Sequence, residues 1–540
     1  MNDGHWPGRA GGQMARETSS RARQVTGVSA RLTAVCFVVF AFVTAIPVIL
    51  HPLPPLLDYP NHLARMHAIA TIHDDPYLSR FYQIEWRIIP NLAMDALVPL
   101  FQPLLGVYRA GQLFIIVAIL LVMSGALCLN RALYGKWSAA PLLVAPLIYN
   151  RIFLVGLMNY TFGVGLAMWA LAIWIFLRER AWPARLLASS LFCVALFFCH
   201  LFVVGLYGLG VFSFEAWRLW AERDRPMSRR IAAFVAAGLP FVLVLALLVM
   251  SPTWGLSGDN RWDMAGKLDG LYAVIGAYSN PAAVALLAVV AAVVAWALWR
   301  RALHLHPVGW IVLGLGALVY LAMPAVMFSA YQADQRLPIA LAFLVIGCAN
   351  LELPSRAELA AAVALLACLL VARVVEVDAN WRALSRETLA LRDSIGTIAQ
   401  RGPRILVAQG NETDPDEVQD YGLGHAACLA VIERSALVST LFTIPGKQVI
   451  HARPAYRGQV ETGDGDLPSI EQLARALDED ASDAQGKNAP YWQAWPNHFD
   501  YVYVVFTHGG APNPMPELLS AVYEGDHFQL YRITKPGARG

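Results

Sequence analysis

The segment Leu56-Leu57-Asp58-Tyr59-Pro60-Asn61-His62-Leu63-Ala64-Arg65 decides how the chain is read. It follows the first long apolar run, Leu32 to Leu50, and therefore lies just beyond the far end of a membrane helix. Asp58, His62 and Arg65 are spaced by four and three residues, so one face of a short helix can carry all three. Pro60 suits the first turn, where no amide partner is lost. Two readings follow for Asp58. It can cap the helix at the positive end of its dipole, with His62 and Arg65 as ordinary interfacial residues. Alternatively, the three side chains form a functional cluster at a membrane exit.

The rest of the chain frames that choice. Of 540 residues, 57% are hydrophobic and only 15% charged, a composition unlike that of a soluble domain. Apolar runs fall near 32–50, 111–130, 138–155, 158–177, 186–200, 202–217, 231–250, 282–299, 308–323, 337–350 and 357–374, about eleven spans. Residues 1–31 are polar and Arg-rich and read as a disordered cytoplasmic tail before an uncleaved signal anchor. With the N-terminus inside, Arg131, Lys136, Arg178, Arg180, Arg185, the arginines of 218–230, Arg300, Arg301 and Arg356 all fall in cytoplasmic connections. An odd number of spans then places the C-terminal part outside, on the side of Asp58. The net charge of +2 and the lack of a basic stripe exclude a nucleic-acid partner. Six of the seven cysteines lie in apolar runs, with no zinc spacing and no disulfide framework.

The first outside loop, 51–110, is too long for a turn. Leu63, Met66, Ile69 and Ile72 predict an amphipathic helix over 61–72 lying along the interface, and 91–107 a second interfacial or re-entrant element. Arg336, in Tyr331-Gln332-Ala333-Asp334-Gln335-Arg336, stands where a late helix re-enters from outside. Snorkelling or a phosphate contact would each explain it. From about 376 the composition turns mixed. Strands at 404–408, 499–506 and 528–533, with helices at 426–439 and 516–523, predict a small α/β domain over 376–540. Asn411-Glu412-Thr413 fits a glycosylation sequon, and 478–488 reads as a mobile polar loop. His425, His451, His498, His508 and His527 have no metal spacing and read as surface or packing residues, His200 as a hydrogen-bonded structural one. Asn159 and Tyr160 are polar lining candidates. No phosphate loop, dinucleotide fingerprint, zinc-protease motif or nucleophile elbow is present. The spans carry almost no ionisable groups away from their ends, unlike ion-coupled transporters.

A first span, a long outside loop opening on Asp58, interfacial helices, a multi-span bundle over 32–375, an outer-mouth Arg336 and an outside α/β domain together resemble the GT-C membrane glycosyltransferases. The resemblance is to bacterial members that use polyprenyl-phosphate sugars, and it implies an integral protein of the cytoplasmic membrane with its C-terminal domain periplasmic. It implies inverting transfer of a sugar to a glycan or lipid acceptor of the cell envelope. In that scheme Asp58 is catalytic, and His62, Arg65, Arg87 and Arg336 bind substrate. The loop lacks the paired acidic residues some members show, and a divalent cation is left open. A lipid-linked-substrate flippase and a non-catalytic envelope assembly protein are the competing expectations. In the latter Asp58 is only a cap.

Overall fold

The computed structural model describes residues 30–258, 260–410, 422–462, 467–478 and 490–534. The tail up to residue 29, the Asn411-Glu412-Thr413 sequon and the polar stretch 479–488 lie outside the described residues. Helices α1 (Ala30–Leu50), α2 (Tyr59–Thr71), α3 (Ala93–Tyr134), α4 (Met158–Phe176), α5 (Trp182–Cys199) and α6 (Leu201–Ala221) build the first part of a bundle. α7 (Met227–Ala236), α8 (Leu239–Met250), α9 (Asn280–Trp299), α10 (Pro307–Ala322), α11 (Arg336–Gly347) and α12 (Arg356–Ile395) follow. Among the described residues, eight helical segments are long and apolar enough to cross a membrane, α7 and α8 counting together as one. α10 and α11 are shorter apolar helices. Helix is the form that satisfies every backbone group within one segment when no water is at hand.

The apolar run 138–155 is not a continuous helix. Pro141 and Pro146 lack the amide a helical ladder needs. The chain therefore forms a 3-10 helix, Ala140–Leu147, and then the short helix Arg151–Val155. Most of this irregular backbone is buried among neighbouring helices, the condition under which such backbone is tolerated in an apolar layer. It still runs the length of the bundle. At its start Ser138 and Ala140 line one pocket with Leu303 and Leu351; at its end the carbonyls of Leu154 and Val155 accept from Leu57 and Asp58.

Close packing of α3 on α4 rests on glycine. A Cβ at Gly165 would lie 2.6 Å from the Leu121 backbone, and one at Gly125 2.8 Å from the Gly165 carbonyl. Small residues of this kind let two backbones approach where no hydrophobic force separates helix from lipid. α3 bends at Gly106, whose φ of 74° admits no ordinary side chain comfortably. Before the bend Leu100, Phe101 and Leu104 are exposed while Asp95 is buried.

α2 differs from expectation. Its span, Tyr59–Thr71, is close to the one predicted, but it does not lie on a surface: residues 59–66 and Ala68 are all buried. It is enclosed by α3 on one side and by the C-terminal region on the other. Its periodicity reports burial against two partners rather than a lipid-facing stripe.

α12 runs unbroken through residue 376, so the change in composition there falls within a helix. Beyond it lies a five-stranded sheet in which residues 437–438, 404–409, 501–505, 528–533 and 519–524 stand in that order. β4 (Arg404–Gln409) is parallel to β5 (Leu437–Val438) and β7 (Tyr501–Val505). β9 (Phe528–Ile533) pairs antiparallel with β7 and with β8 (Leu519–Glu524). The helix expected at 516–523 is instead β8: Pro516 imitates a helix start, but pairing with β9 overrides local preference. The helix expected at 426–439 stops at Arg434, where Ser435 turns left-handed (φ 57°), and β5 follows. Two short pairs stitch distant parts together. β1 (Tyr82–Ile84) joins β6 (Ile450–Ala452) antiparallel, with Gln83 opposite His451, and β2 (Leu303–Leu305) joins β3 (Ala349–Leu351) at the other end of the bundle. The first loop and the C-terminal region thus share a sheet.

Candidate functional site

A cavity of about 450 Å3 lies where α2, the end of residues 151–157, α11 and the C-terminal region meet. Asp58, His62, Arg65 and Arg336 all line it, together with His200, Tyr160, His425 and Phe442. Met158, Phe202, Phe328 and Ile444 give the same wall an apolar share. Arg87 is not on this wall; it is exposed and pairs with Glu85 at 2.6 Å. The structure therefore brings four of the five sequence candidates together and leaves Arg87 outside.

Asp58 occupies the N-cap position of α2, yet its side chain makes no capping hydrogen bond. Its backbone is fixed from behind. The Asp58 amide donates to Val155 O (2.9 Å), and Gly156 passes so close that a Cβ there would lie 3.1 Å from the Asp58 nitrogen. Gly156 has φ 97°, so only glycine meets both demands without strain. The carboxyl group is left free to face the cavity. Burial raises its pKa to about 7, outweighing the opposing pull of Arg336 and Arg65. An acid held near neutrality can take and return a proton at working pH.

The two arginines are held differently. Arg65 is fully buried and grips Asp95 of α3 with two bonds of 2.7 and 2.6 Å. Its partner lies far along the chain, so the fork is invisible to local pattern. Its Nη1 also lies 3.4 Å from His62 Nδ1. Burial, with Arg65 and His425 nearby, depresses the His62 pKa well below the ordinary imidazole value, so this ring is neutral. Arg336, at the first position of α11, is held by His200 Nε2 (2.9 Å) and donates to the Tyr331 carbonyl (2.7 Å). Its own carbonyl accepts from Tyr160 (2.6 Å). Nε of both Arg65 and Arg336 is buried without a protein hydrogen-bond partner.

His425 is the residue that sequence reading misplaced. It is neither a surface residue nor mere packing: its Nε2 lies 3.6 Å from Asp58 Oδ1. Phe442, from the same region, stands edge-on to both His425 and His62. Only the tertiary fold brings residues 425–442 to Asp58, and no spacing rule reports it. Asn159, expected to line the site, does so while also clamping α3: it accepts from Met94 N and donates to Asn91 O. His200 is hydrogen-bonded as expected, and it also lines the cavity.

No group of three His, Cys, Asp or Glu side chains among the described residues is placed to hold a metal ion. The donor set at Asp58 is a carboxylate with neutral imidazoles between two guanidinium groups, a poor fit to a hard divalent cation.

No protein-family model matches the sequence, and no curated protein matches it. Among solved structures the fold matches ArnT from Cupriavidus metallidurans, crystallised with undecaprenyl phosphate, at a TM-score of 0.51 and 12% identity. The match covers 94% of this chain and 99% of that one. What the match shows is the fold: this chain has the architecture of ArnT. Nearly the whole of this chain, bundle and sheet region alike, is similar to ArnT in arrangement while differing in most of its residues.

Proposed function

We propose that this protein is an inverting glycosyltransferase that moves a sugar from a polyprenyl-phosphate donor to a cell-envelope acceptor at the outer face of the cytoplasmic membrane. The observation that carries the reading is one cavity lined by Asp58, Arg65 and Arg336, with burial raising the Asp58 pKa to about 7. The undecaprenyl phosphate bound to ArnT, a protein of similar fold, supports a polyprenyl phosphate as the lipid carrier. The distribution of Lys and Arg along the connections supports a cytoplasmic N-terminus and an outside site.

In this mechanism the donor's phosphate rests against Arg336, with its isoprenoid chain leaving along the apolar wall. Asp58, ionised, takes the proton of an acceptor hydroxyl as that oxygen bonds to the anomeric carbon. The bond from that carbon to the phosphate oxygen breaks, and its electron pair departs with the polyprenyl phosphate. Negative charge grows on the phosphate during this step, so Arg336 binds the transition state better than the ground state. Arg65, its charge balanced by Asp95, contributes by holding His62. Attack opposite the leaving phosphate inverts the anomeric centre. No step uses a divalent cation.

The test is Asp58→Asn in cells, with membrane insertion verified and lipid-linked sugars and surface glycans read by mass spectrometry beside a deletion strain. The expected outcome is that the variant matches the deletion and an unused polyprenyl-phosphate sugar accumulates. A variant that behaves as wild type, while the deletion has a phenotype, would return Asp58 to a structural role and favour a binding or transport function.

A further inference from the structure

His425 reaches the cavity in a defined chemical state because Asn61 sets it. The Asn61 amide nitrogen donates to Thr440 O (2.8 Å), and the amide oxygen accepts from Phe442 N (3.0 Å). Those two backbone contacts fix which end of the amide is which. The nitrogen's second hydrogen then faces His425 Nδ1 at 3.2 Å. Nδ1 must accept, so a neutral His425 carries its hydrogen on Nε2, the atom nearest Asp58. Burial lowers the His425 pKa to about 4, which keeps the ring in that neutral form at working pH.

We propose that His425 is a positioning residue for the reacting carboxylate: its Nε2–H, oriented by Asn61, points at Asp58 Oδ1 and closes from 3.6 Å to a hydrogen bond when substrate fills the cavity. A donor of this kind stabilises the ionised carboxylate and orients one oxygen, leaving the other for the acceptor hydroxyl. Catalytic hydrogen bonds are commonly long before substrate arrives. The C-terminal region thereby supplies part of the site rather than covering it. The other charged or titratable groups lining the cavity with this pair are His62 and Arg65 from α2, Tyr160 from α4, His200 between α5 and α6, Tyr331 before α11, Arg336 from α11, and Lys447 and Glu461 from the C-terminal region. The inference rests on the reading of Asp58 as the base.

The experiment compares His425→Met with His425→Gln, side chains of similar length of which only the second has a donor. The full-length protein in lipid nanodiscs, with undecaprenyl phosphate added to fill the cavity, is titrated by infrared difference spectroscopy against Asp58→Asn, reading the Asp58 carboxyl without any turnover. The expected result is a protonation midpoint raised by about one pH unit in His425→Met and kept near wild type in His425→Gln. Transfer from a polyprenyl-phosphate sugar at pH 6 then falls about tenfold for the Met variant relative to wild type, with Gln restoring the rate. Equal shifts in both variants, or a shift in neither, would overturn the proposal. Should wild type transfer no sugar while the infrared ordering holds, the transferase reading fails and the positioning role stands.

Discussion

At the scale of single residues, Asp58 makes the folded protein less stable than it would be without the charge. The acid titrates near 3.8 in an unperturbed chain and at about 7 in the fold. A raised carboxyl pKa means the folded state holds its proton longer, so the stabilising effect is present at low pH and is lost as pH climbs from about 4 to 7. That gap corresponds to about 4 kcal/mol. Asp58→Asn is therefore expected to match wild type in thermal unfolding near pH 4 and to exceed it clearly at pH 8, in the same detergent. The Arg65–Asp95 fork makes an opposite prediction. Asp95→Ala leaves a buried guanidinium unpaired and is expected to cost about 3–5 kcal/mol, whereas Arg65→Met with Asp95→Leu recovers most of it. Melting temperatures of the three proteins decide the point. The cluster of Asp58, His62 and Arg65 was legible because four- and three-residue spacing is a local rule, and the structure places all three on one wall. Asp95 and His425 were not legible, because their partners are set by folding alone. Arg87 had the right charge in the right loop, but its neighbour Glu85 takes its guanidinium instead.

At the scale of elements, the apolar runs gave most helices their place, since about twenty apolar residues in sequence leave little choice but helix. They failed at 138–155, where composition says span and two prolines say otherwise. Hydropathy counts apolar mass and is blind to a missing amide. The local reading of a helix at 516–523 also failed, because the burial of β8 alternates too weakly to oppose a helix signal. The contact of α3 with α4 sets a further expectation. Gly165→Ala places a methyl against the Leu121 backbone, which cannot rotate away as a side chain can. A loss of about 1–3 kcal/mol is expected, seen as a lower unfolding temperature in detergent. Gly205→Ala, inside α6 where nothing stands within 4 Å, is the control and should not lower that temperature.

At the scale of the whole molecule, the bundle and the sheet region form one body around the cavity. The C-terminal region contributes His425 and Phe442 to the wall and β6 to the first loop's sheet. A chain ended after α12 is expected to insert in the membrane and, on the proposed function, to lose all transfer activity. Membrane flotation reports the first outcome, and transfer from a polyprenyl-phosphate sugar the second. The sequence announced a separate α/β unit after residue 376, and the sheet is there. Its intimacy with the first loop was hidden, because a three-residue strand such as Tyr82–Ile84 leaves no periodic trace.

The pairing of β1 with β6 also has a consequence in time. The ribosome delivers Tyr82–Ile84 long before Ile450–Ala452. At about 5–20 residues per second the wait is on the order of tens of seconds. Throughout that interval the first loop has emerged with an unpaired strand edge and α2 lacks one of its two walls. The nascent protein is exposed at the place where the finished one is most enclosed. Chaperones and proteases meet the loop before its partner does, and substitutions that weaken β1 will show first as low yield rather than as low activity.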